Sequence, residues 1–250
     1  MIIRINGKEC SCERGEYLLQ VAKRNDVFIP TICYHEGLGG LGGCRVCLVE
    51  VVDGGRSQIV VSCIYPVEKE IEVFTDSEKV REERGVVLAL LSRLAPYAKI
   101  VKQLSEDYGV EVPRLTNKEG GLTCILCGRC TTACELVGSG AIAKVNRGIT
   151  KEINTPYAHP SDECIGCASC AHVCPTNSIF HTEDDTSVTI WGKTFELRRC
   201  ECCGNTISTD ELIANALHKA EGDEMILCME CRKALLADKI RQGSTKSIIR

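Results

Sequence analysis

The run Cys124-Ile125-Leu126-Cys127-Gly128-Arg129-Cys130, with Cys134 after three further residues, returns as Cys164-Ile165-Gly166-Cys167-Ala168-Ser169-Cys170, with Cys174 and then Pro175. Each of the four cysteines recurs at an offset of 40 residues, so the stretch is an internal repeat. Three thiolates two residues apart on a tight loop cap three corners of an iron-sulfur cube. The fourth, three residues further on, begins a helix that carries it to the other cube. The spacing therefore predicts crossed ligation: Cys124, Cys127, Cys130 and Cys174 around one 4Fe-4S cluster, and Cys164, Cys167, Cys170 and Cys134 around its partner. Pro175 removes a backbone donor and fixes φ just after the crossing cysteine, whereas Glu135 follows Cys134. Zinc sites and disulfides are the alternative uses of such cysteines.

Working outward, the composition agrees with a chain that replaces part of its core by inorganic clusters. Aromatic residues make up only 4% of the 250, and cysteines number 19. The cysteines fall in x2-spaced groups typical of metal ligands, and no secretory apolar region follows Met1, so the expected compartment is a reducing cytoplasm. The longest apolar stretch, Gly85 to Ala95, is too short for a membrane span and is interrupted by Arg93. A net charge of -4 without a basic block gives no reason to expect nucleic acid.

Residues 1–75 open with Ile2, Ile3 and Ile5, then Asn6-Gly7, then Lys8 to Cys12, the pattern of a hairpin on a tight turn. A short helix is expected near Tyr17 to Arg24. Cys33, Cys44, Cys47 and Cys63 follow with intervals of ten, two and fifteen residues. Gly37, Gly39, Gly40, Gly42 and Gly43 make a loop whose N–H groups can approach sulfur without Cβ clashes. Leu48 to Asp53 and Gln58 to Ser62 read as strands joined through Gly54-Gly55, which brings Cys47 and Cys63 to matching ends of a hairpin. A zinc-binding β domain is the alternative to a 2Fe-2S centre here.

Ile29-Pro30-Thr31-Ile32-Cys33-Tyr34-His35, with Gly43-Cys44-Arg45-Val46-Cys47-Leu48-Val49-Glu50-Val51, resembles the 2Fe-2S domain that opens the large iron-sulfur subunit of respiratory complex I. The same domain opens the diaphorase-side iron-sulfur subunits of NAD(P)-linked NiFe hydrogenases and formate dehydrogenases. The family's last interval is usually thirteen; the two extra residues here read as a longer turn, since an insertion of two preserves which face each side chain takes. Cys124 to Cys130 and Ala141 to Ile149 resemble the same family. One cysteine quartet has largely decayed in complex I, whereas both are complete here, which favours the hydrogenase or formate dehydrogenase branch. The resemblance implies an α+β chain. It would comprise a β-grasp 2Fe-2S ferredoxin domain (1–75), a helical linker (76–112), a bacterial-type two-cluster 4Fe-4S ferredoxin domain (113–190) and a small zinc-ribbon-like metal-knuckle tail (191–250).

The linker departs from the family. Its pattern is helical, with Asp76 or Ser77 as cap, Val80, Val87, Leu91 and Leu94 on one stripe, a break at Pro96 and a second segment near Tyr97 to Tyr108. Relatives place a cluster held by one histidine and three cysteines at about this point, yet residues 64–123 hold no Cys or His. The electron path across this gap must be shorter here or run through a partner.

The tail carries Cys200, Cys202 and Cys203-Gly204, then Cys228 and Cys231. Cys200, Cys203, Cys228 and Cys231 suit one structural zinc, with a third 4Fe-4S cube as the alternative. Leu212, Ile213, Ala216 and Leu217 form a helical pattern between the pairs, with Ser208 or Thr209 as cap. Cys10, Cys12 and Cys202 are left over, the first two read as buried structural thiols. His35 and His172 beside ligands read as solvated or packed imidazoles.

No nucleotide fingerprint, paired nucleophile and base, or convergent carboxylates are present, so no catalytic residue is assigned. The expected function is a relay of single electrons, with plant-type 2Fe-2S centres near about -400 mV. The resemblance implies partners: a flavin- and NAD(P)-binding subunit on one side and a catalytic subunit on the other. The complex so implied is a NAD(P)-linked NiFe hydrogenase, electron-bifurcating forms included. The same role in a molybdenum or tungsten formate dehydrogenase and, from another class, an iron or redox sensor are the rivals.

Overall fold

The computed structural model describes residues 1–111, 122–220 and 225–241; the expected start of the two-cluster domain at residue 113 lies outside them. Strands β1 (Ile2–Ile5) and β2 (Lys8–Ser11) pair antiparallel across Asn6-Gly7, whose φ values of 51° and 82° are those of a left-handed two-residue turn. Helix α1 (Leu18–Arg24) follows, then β3 (Leu48–Asp53), β4 (Arg56–Val61) and β5 (Glu72–Phe74). These strands make one mixed sheet in the order β2-β1-β5-β3-β4, with β1 and β5 parallel. α1 packs on it through Leu18, Leu19, Val21 and Ala22, against Ile3, Ile5, Val49, Val51 and Val73. Cys10 and Cys12 lie in this core, as the sequence implied. The β3–β4 turn is only Gly54-Gly55, with Asp53 paired to Arg56. The two residues beyond the family interval are therefore not a longer turn, because a two-residue loop cannot be shortened further; the paired strands absorb them.

Helix α2 (Glu78–Leu94) starts where Ser77 Oγ accepts the Val80 N–H at 3.3 Å and stops at Ala95, ahead of Pro96. Helix α3 (Lys99–Asp107) folds back on it. Of the expected stripe, Val80 and Leu91 are buried and Val87 partly so, while Leu94 is 40% exposed. The buried face centres on Leu88, and a fully buried aliphatic side chain of this kind contributes about 1.5–3 kcal/mol.

The same helix buries Arg84 completely. Its Nε donates to the Val46 carbonyl at 3.0 Å, its Nη2 to the carbonyls of Leu48 (2.7 Å) and Thr75 (3.0 Å), and its Nη1 to the Tyr108 hydroxyl at 2.8 Å. These bonds hold the backbone on both sides of Cys47 against the helical pair. Leu88, Leu91, Ala98 and Val101 then share one apolar cluster with Ile32, Cys33, Cys44, Val46, Ile125 and Cys127, so the linker helices form a wall behind two cysteine loops at once.

In the second half, α4 (Arg129–Val137) is followed by the small hairpin of β6 (Ala143–Val145) and β7 (Glu152–Asn154), and then by α5 (Ser169–His172). Strands β8 (His181–Glu183), β9 (Ser187–Ile190), β10 (Lys193–Arg199) and β11 (Thr206–Thr209) form an antiparallel sheet in the order β11-β10-β9-β8. This sheet runs without interruption across residue 190, so the tail is joined to the preceding module by its own strands. Helix α6 (Asp210–Ala220) begins where Thr209 Oγ1 accepts the Leu212 N–H at 3.2 Å, and α7 (Met229–Arg241) closes the described chain. Among the described residues no helix is long and apolar enough to cross a membrane.

Candidate metal centres

The glycine-rich loop after α1 and the open end of the β3–β4 hairpin bring Cys33, Cys44, Cys47 and Cys63 together, each at most 2% exposed. Ser62 sits beside Cys47, its N–H and hydroxyl donating to the Cys47 carbonyl at 3.1 and 2.8 Å. The Cys33 thiol is held far below its ordinary value by hydrogen bonds from the Cys44 and Cys63 thiols and from the N–H groups of Cys44 and Gly43. Cys44 and Cys63 are pushed up in exchange, and Cys47 is lowered to about 7 by the Cys63 thiol. Two glycines are there by necessity. A Cβ on Gly40 would lie 2.0 Å from the Cys63 carbonyl oxygen, and one on Gly43 would lie 2.7 Å from that of Cys127.

The Gly43 contact bridges the stretch in which the family's histidine-and-cysteine cluster motif is missing. The loop of Cys33 and Cys44 packs directly on the loop of Cys127, and Arg129 Nη1 donates to the Ile32 carbonyl at 3.3 Å across the joint. The gap of sixty residues in sequence is closed by contact in space.

In the repeat, the two copies share a backbone as well as a spacing. Leu126 and Gly128 have φ of 54° and 87°; their counterparts 40 residues on, Gly166 and Ala168, have 68° and 51°. Left-handed residues alternating along a loop turn successive N–H groups to one side, a concavity suited to an anionic centre. The grouping of sulfurs is crossed. Cys124, Cys127, Cys130 and Cys174 line one cavity of about 260 Å³, and Cys134, Cys164, Cys167 and Cys170 line another. Burial pushes the Cys130 thiol up to about 12 and Cys170 up to about 11, with the charges of neighbouring thiols adding to it. Cys174 is the exception: burial raises it, but hydrogen bonds from the Ser178 and Thr176 N–H groups prevail and leave it low. The Ser178 bond to Cys174 Sγ is 3.2 Å.

Two buried side-chain nitrogens among the described residues have no hydrogen-bond partner, Arg129 Nε and Trp191 Nε1, and both residues line the first cavity. Each is a donor only, and a buried donor without an acceptor costs about 1–3 kcal/mol. An iron-sulfur cube removes that cost by adding inorganic sulfide to the thiolate acceptors, whereas a zinc ion adds no acceptor of its own. The donor set and its surroundings thus fit iron-sulfur clusters. Trp191 also lines the second cavity, and its indole N–H draws the Cys170 thiol down against burial, although not at ordinary hydrogen-bond geometry.

In the tail, Cys200, Cys203, Cys228 and Cys231 place their sulfurs within 4.8 Å of one another. The Cys228 N–H donates to Cys200 Sγ at 3.3 Å, and with the Cys203 N–H it lowers Cys200 to about 6. Cys231 is pushed up by the thiols of Cys203 and Cys228, with Cys202, itself exposed, adding to it. His35 Nδ1 accepts the Gly37 N–H at 3.1 Å, and His172 packs edge-on to His181. Sequence reasoning passed over Arg84, Arg129 and Trp191. Only the last left a signal, in the Val188-x-Ile190 alternation that runs into Trp191-Gly192 as a hairpin turn.

Comparison with known proteins agrees with this geometry. Residues 1–78 match the 2Fe-2S iron-sulfur cluster binding domain family, and residues 121–181 match the 4Fe-4S dicluster domain family. The NADP-reducing hydrogenase subunit HndD of Solidesulfovibrio fructosivorans is 32% identical over 217 residues, which span 73% of this chain and 36% of that one. A Staphylococcus aureus (strain USA300) protein named "Putative formate dehydrogenase" is 26% identical over 213 residues, 72% of this chain and 20% of its own length. The chain therefore spans only about a third of the first relative and a fifth of the second. A solved NAD+-reducing [NiFe]-hydrogenase in the H2-reduced state shares the fold, with a TM-score of 0.60 and 23% identity over 70% of this chain and 85% of that one. The chain is an α+β iron-sulfur electron-transfer protein, with a 2Fe-2S domain followed by a 4Fe-4S dicluster domain.

Proposed function

We propose that this chain is the electron-relay subunit of a NAD(P)-linked hydrogenase of the nickel-iron type, standing between a flavin- and NAD(P)-binding partner and the catalytic partner. Clusters bound at its cysteines supply one-electron transfer; the chain's residues hold them, exclude water and fix their order. Cys33, Cys44, Cys47 and Cys63 hold a 2Fe-2S centre. Cys124, Cys127, Cys130 and Cys174 hold the first cube, and Cys164, Cys167, Cys170 and Cys134 the second. Cys200, Cys203, Cys228 and Cys231 hold a zinc ion that shapes the tail for docking and carries no electrons. The domain limits follow the same reading, with a 2Fe-2S unit over 1–75, a helical linker to 112 and a dicluster unit beyond it; residue 190 divides the cysteine sets of the dicluster unit and the metal-binding tail, while the β8–β11 sheet is shared between them.

The observation that carries the reading is the packing of Gly43 on Cys127, which puts the loops of two cysteine sites in contact where relatives place a further cluster. Electron transfer falls steeply with distance, so adjacent sites in a line make a relay. The likeness to HndD favours the hydrogenase; the likeness to the Staphylococcus protein favours formate dehydrogenase as the second reading. Isolation of the native complex under anaerobic conditions, with metal analysis, tests both. Nickel with hydrogen-dependent NAD(P) reduction supports the first, molybdenum or tungsten with formate-dependent reduction the second. A chain that copurifies with no partner overturns both in favour of a sensor.

A further inference from the structure

The internal repeat contains its own comparison. The residue before the third cysteine is Arg129 in one copy and Ser169 in the other, at the same offset of 40. The loops around them have matching backbone. Beside the first cavity Lys144 and Lys151 are both exposed, Lys151 next to the equally exposed Glu152 on the same wall, and at the second Lys193 Nζ donates to the Cys164 carbonyl at 3.3 Å. Arg129 is a partly buried cation with no counterpart at the equivalent position of the second site. It forms no ion pair among the described residues, its Nη1 is spent on the Ile32 carbonyl next to Cys33, and its Nε is buried without a partner beside the cavity of Cys124, Cys127, Cys130 and Cys174.

We propose that Arg129 sets the reduction potential of the centre held by Cys124, Cys127, Cys130 and Cys174, donating Nε–H to its sulfur while Nη1 ties the cation to the 2Fe-2S loop. The inference rests on the ligation given under the proposed function. On one-electron reduction no bond forms or breaks and the centre gains one negative charge. A fixed cation and an N–H···S bond stabilise that charge, so the potential rises. The first cube is then the easier of the two to reduce, and electrons collect beside the 2Fe-2S site. Trp191, a neutral donor on the wall common to both cavities, gives both cubes a smaller shift of the same sign.

The test is an anaerobic EPR redox titration of the full chain, with dithionite and mediators, on wild type, Arg129→Ser and Arg129→Lys. The signal of the first cube is identified as the one lost in Cys174→Ala. Arg129→Ser is expected to lower its midpoint by a tenfold change in the reduction equilibrium, about 59 mV for one electron, with the 2Fe-2S centre, whose loop Nη1 touches, shifted less and the second cube unmoved. Arg129→Lys recovers part of the shift. A midpoint unmoved in Arg129→Ser, or an equal shift of all three centres, overturns the proposal. Should that variant not assemble its cluster, wild type labelled with 15N-arginine decides: a 15N coupling to the reduced first cube is expected in pulsed EPR, and its absence overturns the proposal. A wild-type chain without any cubane signal from this site would overturn the ligation reading and the proposal together, a result distinct from an intact signal indifferent to Arg129.

Discussion

Replacing Arg84 by Met keeps an unbranched apolar stem as far as the position of Nε while removing every donor. Three backbone carbonyls, those of Val46, Leu48 and Thr75, and the Tyr108 hydroxyl lose their partner at a site where Arg84 is wholly shielded from solvent. Each bond to a charged donor contributes about 1.5–3 kcal/mol. Backbone relaxation and the gain from no longer burying a cation offset part of this, so the net loss is about 3–5 kcal/mol, the range for breaking a buried charged network. Arg81, one turn earlier on the same helix, is the control. It pairs with Asp76 on the surface, 66% exposed, where such a bridge is worth about 0–1 kcal/mol. The assay is anaerobic urea titration of the loaded chain, following far-UV circular dichroism and the visible signal of the 2Fe-2S centre. With a slope of about 2 kcal/mol per molar, Arg84→Met lowers the midpoint by roughly 2 M and Arg81→Met by less than about 0.5 M. The 2Fe-2S signal should be lost before the 4Fe-4S signals, because the carbonyls flank Cys47. Equal midpoints for the two variants, or simultaneous loss of all clusters at the wild-type midpoint, would refute the argument that Arg84 holds this loop.

Four further outcomes are expected. Cys174→Ala should damage the centre of Cys124, Cys127 and Cys130, and Cys134→Ala the other; potential-resolved EPR in which each quartet loses its own centre would reverse the crossing. Gly40→Ala and Gly43→Ala should both lower iron content, since their methyl groups would meet carbonyl oxygens at 2.0 and 2.7 Å, whereas Gly37→Ala, whose Cβ meets His35 at an ordinary 3.5 Å, should load normally. Metal analysis of the loaded chain should give about ten irons and one zinc, against about fourteen irons and no zinc if the tail holds a cube. In the metal-free tail Cys200, lowered to about 6, is a thiolate at pH 7, while Cys203 and Cys231 are raised and keep their protons. Zinc uptake at pH 7 should therefore release at least two protons, measurable by calorimetry in buffers of different ionisation enthalpy, and affinity should fall as pH falls. The sign for the apo fold is the same: a depressed Cys200 stabilises it fully above the ordinary thiol value, and that contribution fades as pH drops towards 6.

What could be read from the chain alone was whatever short-range chemistry dictates. A cluster takes three of its ligands from one loop of seven residues, so the two quartets, their crossing and the tail pairs were visible as spacing. The Asn6-Gly7 and Gly54-Gly55 turns, the Ser77 cap and the stop before Pro96 are likewise properties of a few adjacent residues. Tertiary structure decided what joins these pieces. That Arg84 reaches the backbone at Val46 and Leu48, that Gly43 meets Cys127, and that Arg129 spans to Ile32 are contacts between residues 36 to 97 positions apart. No periodicity or local propensity encodes such a pair. A buried arginine on a helix reads as one more solvated charge until the carbonyls that surround it are in place, and a gap without ligands reads as a break in the path until the loops on either side of it touch.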